Sequence, residues 1–257
     1  SEPTTKWFGN QMLTVLALYR GKSADALAAA EQAATAYRAP GLRSGVSRRN
    51  QAAILMARSQ PELALAQVQK ARTDTRNTPQ EAGALITLAE TLARLGRRAE
   101  AEDVIAELNT KADPLAANRD ARRALLARGL VLLASRDAAG AITALEGAHV
   151  TLPPRGSAPG QNPHVPIWSA LGEAYLAAGR DADALRTFQR VADAGYERFA
   201  WPVEYVRSFY HLGKLYEKTG NAAKARDAYR RFVGYWKDGD LDRERVAEAE
   251  QMLRAGS

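Results

Sequence analysis

The chain has 257 residues, 46% hydrophobic and 25% charged, the proportions of an ordinary folded protein. Its net charge of +7 is uneven: residues 1–100 carry 14 Lys and Arg against 8 Asp and Glu, and the remainder 22 against 21. There is no cysteine, which excludes disulfides and thiolate metal sites and leaves the compartment open. No run of 18 apolar residues occurs, so no membrane insertion is expected. The chain opens at Ser1 without a basic and apolar leader, so no signal peptide is expected and a processed chain or excised fragment is. The basic half is read as an Arg-rich solvated surface, because no run of adjacent Lys or Arg exceeds two.

From the N-terminus, one pattern recurs. Alanines at 26, 64, 101, 141, 184 and 225 stand 38, 37, 40, 43 and 41 residues apart. Twelve positions before each lies Thr14, Ala52, Ala89, Gly129, Gly172 or Gly213, and nine before lies Ala17, Leu55, Leu92, Leu132, Tyr175 or Tyr216. Four positions after come Ala30, Val68, Ile105, Leu145, Phe188 and Tyr229; seven after come Ala33, Ala71, Leu108, Ala148, Val191 and Phe232. Intervals of three, four and seven put these residues on one face of a helix. Gly21, Gly96, Gly179 and Gly220 break the pattern where a first helix must end, and Asp137 and Asn221 stand where they can cap the second. The reading is six helical hairpins, spanning about 7–40, 45–78, 82–115, 122–155, 165–198 and 206–239. The stretch 156–164, in the Pro- and Gly-rich TLPPRGSAPGQNPHVP, is expected to be a connecting loop. It separates four degenerate hairpins (1–155) from two well-matched ones (165–239), and 240–257 is a capping helix and tail, amphipathic over LDRERVAEAEQMLR.

The two sharpest copies, WSALGEAYLAAGRDADALRTFQRV and FYHLGKLYEKTGNAAKARDAYRRF, resemble the tetratricopeptide repeat. Trp168, Leu171, Gly172, Tyr175, Ala184 and Phe188 fit its W-x2-L-G-x2-Y…A-x3-F pattern, and Phe209 replaces the tryptophan in the last copy. The resemblance implies an all-α solenoid of about six hairpins winding as a right-handed superhelix, with a C-terminal capping helix. The tail from Trp201 is further similar to the C-terminal repeats of some bacterial membrane-attached Ser/Thr kinases and winged-helix regulators. That likeness implies the interaction or sensor module of a larger bacterial signalling protein.

Catalytic constellations are missing. His149, His164 and His211 are far apart and lack metal-ligand spacing. Gly21-Lys22-Ser23 resembles the end of a phosphate loop, but Leu16 stands where its first glycine belongs. Asp238, Asp240 and Asp242 alternate as in a calcium loop, but Arg243 and Ala249 replace its glycine and closing glutamate, so their expected role is to cap the last helix. No catalytic, cofactor or metal residue is assigned.

The resemblance places a protein or peptide ligand along the first helices of the hairpins. The residues there are Gln11, Arg49, Glu90, Arg94, Arg123, Ser169, Glu173, Tyr210 and Lys214. Trp201 and Tyr210 are added as exposed aromatic anchors. The family's basic-x3-Asn pair for a terminal carboxylate would fall on Arg49 and Ala53, and the asparagine is missing. A homo-oligomer is open. The alternatives are a basic RNA-binding helical repeat and, further off, an enzyme; no repeated pair of base-reading side chains supports the former, so no nucleic acid is expected.

Overall fold

A computed structural model describes residues 2–37, 41–155 and 163–255. Of these, 81% are helical and none lies in a strand. Thirteen α-helices follow one another: α1 (Glu2–Tyr19), α2 (Ser23–Ala34), α3 (Leu42–Ala57), α4 (Pro61–Asp74), α5 (Glu81–Arg94), α6 (Arg98–Thr110), α7 (Ala117–Ala134), α8 (Ala138–Val150), α9 (His164–Ala177), α10 (Asp181–Ala192), α11 (Pro202–Lys218), α12 (Ala222–Trp236) and α13 (Arg243–Ala255). The expected hairpins are these helices taken in pairs, and α13 is the final one. The expected loop falls on residues 156–162, outside the described ones; its last residue, His164, opens α9.

Local chemistry places the helix ends. Pro61 and Pro202 open α4 and α11, where the missing N–H has no helical partner to lose. The side chains of Asp137 and Asn221 accept from the backbone N–H groups of Gly140 and Lys224, as expected. Gly21, Gly96, Gly179 and Gly220 take φ between 68° and 74°. In the second and fourth hairpins the same left-handed turn is made by Ser59 (φ 58°) and Arg136 (φ 63°), which explains why glycine-spotting missed them.

The chain divides into two compact units. The first comprises residues 1–14 and 24–151, and its core runs through Leu55, Val68, Leu85, Leu92, Ile105 and Val131. The second comprises 152–257 together with 15–23. In it, Val165, Trp168, Val191 and Ala194 form one cluster, on which Leu152 and Trp201 pack. Trp236, Tyr205, Tyr229, Phe209 and Phe232 are almost fully buried, so the late aromatic run is mostly core.

The residues of the α1–α2 turn are held by the end of α12. The Trp236 indole N–H donates to the Leu18 carbonyl at 3.0 Å. The N–H groups of Asp240 and Leu241 both donate to the Gly21 carbonyl, at 2.8 and 3.0 Å. Asp240 Oδ1 accepts from the Ser23 N–H at 2.6 Å and its hydroxyl at 2.7 Å. This corrects the expected role of the aspartates: Asp240 caps α2, while the Asp242 carboxylate is committed to Arg207 and Arg245. Among the described residues no cluster of His, Asp and Glu could hold a metal ion.

Candidate functional site

In the first unit, α3, α5 and α7 present the predicted basic residues. Arg94 donates to Glu90 four residues earlier, at 2.9 Å, and both remain partly open to solvent. Arg123 binds Asp120 at 3.0 Å, and Arg119 takes the same carboxylate. The Arg119 bonds hold the Asp120 carboxyl well below the usual carboxylate range. Arg48, beside Arg49 in sequence, pairs with Asp74 at 3.1 Å. Arg49 makes neither a hydrogen bond nor an ion pair among the described residues. Its guanidinium lies over Gly83 of α5, where a Cβ would collide with Nη1. Burial alone acts on it, pulling its pKa below the ordinary arginine value.

Gln11, by contrast, is fully partnered. It is 7% exposed, its amide donates to Ser47 Oγ at 2.8 Å, and its carbonyl oxygen accepts from Asn50 at 2.9 Å. The Trp7 indole N–H also reaches Ser47 Oγ, at 3.1 Å. That network ties α1 to α3, so Gln11 is spent in packing.

In the second unit, Ser169 is buried on α9 and Glu173 lies in the field of Arg207. Tyr210 donates its hydroxyl to Glu248 of α13 at 2.5 Å, and Lys214 reaches the other oxygen of that carboxylate at 2.6 Å. Burial and then the Glu248 bond push the Tyr210 phenol up to about 12. Arg245 stands 5.2 Å above the Tyr210 ring. One turn earlier, Arg207 grips Asp242 with Nε at 2.9 Å and Nη2 at 2.8 Å. These bonds outweigh burial and raise the Arg207 pKa, and the same bonds lower that of Asp242.

Trp201, expected as an exposed anchor, is partly buried against the Val165–Trp168 cluster. Open aromatics of the second unit are Tyr196 and Phe199, about half exposed in the short helical turn before α11. A short, non-periodic segment gives no face to read, so sequence reasoning passed over them. An open cleft of about 540 Å³ lies beside the Lys214 end of α11, lined by Leu176, Asp181, His211, Leu215 and Lys218 among others. His211 stacks on Phe188, with ring centroids 4.5 Å apart and planes 12° apart. Burial, and then the nearby Arg245 and Arg207, lower its pKa to about 3, so the ring is neutral at physiological pH.

The hairpin register, the glycine turns and the burial of each column now stand together, and residues 170–194 and 207–238 match the tetratricopeptide repeat family. The last two hairpins carry tetratricopeptide repeats. Solved structures similar to it include MamA from Desulfovibrio magneticus RS-1 (residues 41 to the end), at 18% identity over 82% of this chain and 96% of that one, with a TM-score of 0.39. Another is TTC0263, a thermophilic repeat protein of Thermus thermophilus, at 17% identity over 81% and 98%, with a TM-score of 0.47. No curated protein matches the sequence. No helix among the described residues is long and apolar enough to cross a membrane.

Proposed function

We propose that this tetratricopeptide scaffold works without catalysis and binds an acidic segment of another protein along α3, α5 and α7, centred on Arg49. The carrying observation is the state of its cations. Arg48, Arg94 and Arg123 each already hold a carboxylate, whereas Arg49 holds none and is partly desolvated. A carboxylate brought to Arg49 gains a charge-assisted bond without first breaking an internal pair. The surplus of Lys and Arg in residues 1–100 adds long-range attraction for the same ligand. In this reading the chain is the interaction or sensor module of a larger bacterial signalling or regulatory protein, as the resemblance of its last third implies.

The test uses an array of acidic peptides against the full chain, at two salt concentrations. Arg49→Glu should weaken the best binder by roughly 2 kcal/mol, in line with loss of a desolvated charge contact. Arg94→Glu with Arg123→Glu should cost less, because those guanidinium groups already have partners. Wild-type affinity in a folded Arg49→Glu protein rules the face out. Retention of single-stranded RNA, lost on the same substitution, would move the reading to the nucleic-acid alternative.

A further inference from the structure

Three side chains of α11, spaced three and four residues apart, form a strip of cation, ring and cation: Arg207, Tyr210 and Lys214. Each meets a counterpart at three-residue intervals before and along α13: the Asp242 carboxylate, the Arg245 guanidinium and the Glu248 carboxylate. The match is by charge rather than by apolar area. Only Val246 and Ala249 are buried within α13, against ten buried residues in α9.

The junction is built differently on its two sides. Leu241 is 2% exposed, and its N–H is held by the Gly21 carbonyl. The next residue, Asp242, carries φ of +47°, a left-handed backbone that a non-glycine side chain disfavours. A fixed anchor is thus followed at once by a strained joint, and then by a helix that packs on α12 through Val246 and Ala249 and meets α11 through ion pairs and one phenol hydrogen bond.

We infer that the Arg207–Tyr210–Lys214 strip is an exchangeable docking surface whose ligand is a partner helix bearing carboxylate, arginine and carboxylate at successive intervals of three residues, with α13 as the resident occupant. The argument is charge complementarity: the strip demands that order of groups, and α13 displays what satisfies it. The surface lies in the second unit and shares no residue with the Arg49 face, so either can fail alone.

A fluorescent peptide copying residues 240–255 tests the inference on the full chain. It should bind the Glu248→Gln protein at least ten-fold tighter than wild type, because the resident helix has lost its hold on Lys214. A peptide carrying Glu248→Lys should bind neither protein, yet should bind the Lys214→Glu protein, where the charges are restored in reverse. Hydrogen exchange of the wild type should show α13 opening faster than α12, and faster still in high salt. The inference is overturned if Glu248→Gln gives no gain in peptide affinity while circular dichroism reports an intact fold. It is equally overturned if α13 exchanges as slowly as α12 at both salt concentrations. A doubled mass by light scattering without peptide binding would overturn it in favour of exchange of α13 between copies.

Discussion

Gly129 faces Leu145, Gly172 faces Phe188 and Gly213 faces Tyr229; a Cβ on the first two would lie 2.5 and 2.8 Å from those side chains, and on the third closer still. Earlier hairpins carry Ala52 with Val68 and Ala89 with Ile105 in the same columns, all buried. As the first member shrinks the second grows, which keeps the two helices packed at constant density. Gly172→Ala should therefore cost about 1–3 kcal/mol through overpacking; an unchanged melting temperature would contradict it. Arg136→Gly should act in the opposite direction. Relief of the left-handed strain exceeds the added chain entropy, and a gain of about 0.5–1 kcal/mol is expected in urea unfolding. His211 adds a pH dependence. Its unfolded pKa lies near 6.5 and its folded pKa near 3, so the unfolded chain binds more protons between them. Stability is full above about pH 6.5 and is lost as pH falls, by about 2 kcal/mol at pH 5. His211→Phe keeps the stack on Phe188 and should remove that slope from a series of melting curves. Parallel curves for the two proteins would show that His211 does not titrate this way.

Among the elements, the turn between α1 and α2 owes its position to residues more than two hundred places later. Trp236 and Gly239 press against Gly21, where a side chain would collide with the Trp236 ring at 2.9 Å, so glycine is needed there for space as well as for its φ of 68°. Asp240→Ala removes the acceptor for both Ser23 donors and leaves the first N–H of α2 without its cap. A loss of about 1–2 kcal/mol is expected from equilibrium unfolding. Accelerated hydrogen exchange should concentrate in residues 18–24; protection lost evenly over the chain would deny the local role. The strand-free reading, the four glycine turns and the final helix were legible, since glycine and apolar intervals report local geometry directly, whereas the turns at Ser59 and Arg136 carry no such mark. The partner of Asp240 was not. Alternating aspartates before a helix carry the same local signature whether they cap that helix, bind a cation or reach a distant turn.

For the whole molecule, a far-ultraviolet spectrum should report helix near the 81% of the described residues and strand near zero; a strand signal above about a tenth would be incompatible with thirteen helices. Sequence alone determined the all-α class, the six-fold recurrence and the buried columns, because a helix of 3.6 residues per turn converts spacing into sidedness wherever it forms. It also brought Arg49, Glu90, Arg94 and Arg123 onto the first helices of their hairpins. Only the tertiary structure decided which of them already hold an internal partner. Arg94 closes on Glu90 within its own helix, Arg123 on Asp120, and Gln11 on Ser47 and Asn50, while Arg49 over Gly83 meets no carboxylate among the described residues. Likewise Tyr210 and Lys214 are satisfied by Glu248, and Trp201 sinks against Val165. The reason is physical: periodicity specifies the direction in which a side chain leaves its helix, but the free energy of a charge or hydroxyl depends on atoms within a few ångströms, and those arrive from other helices.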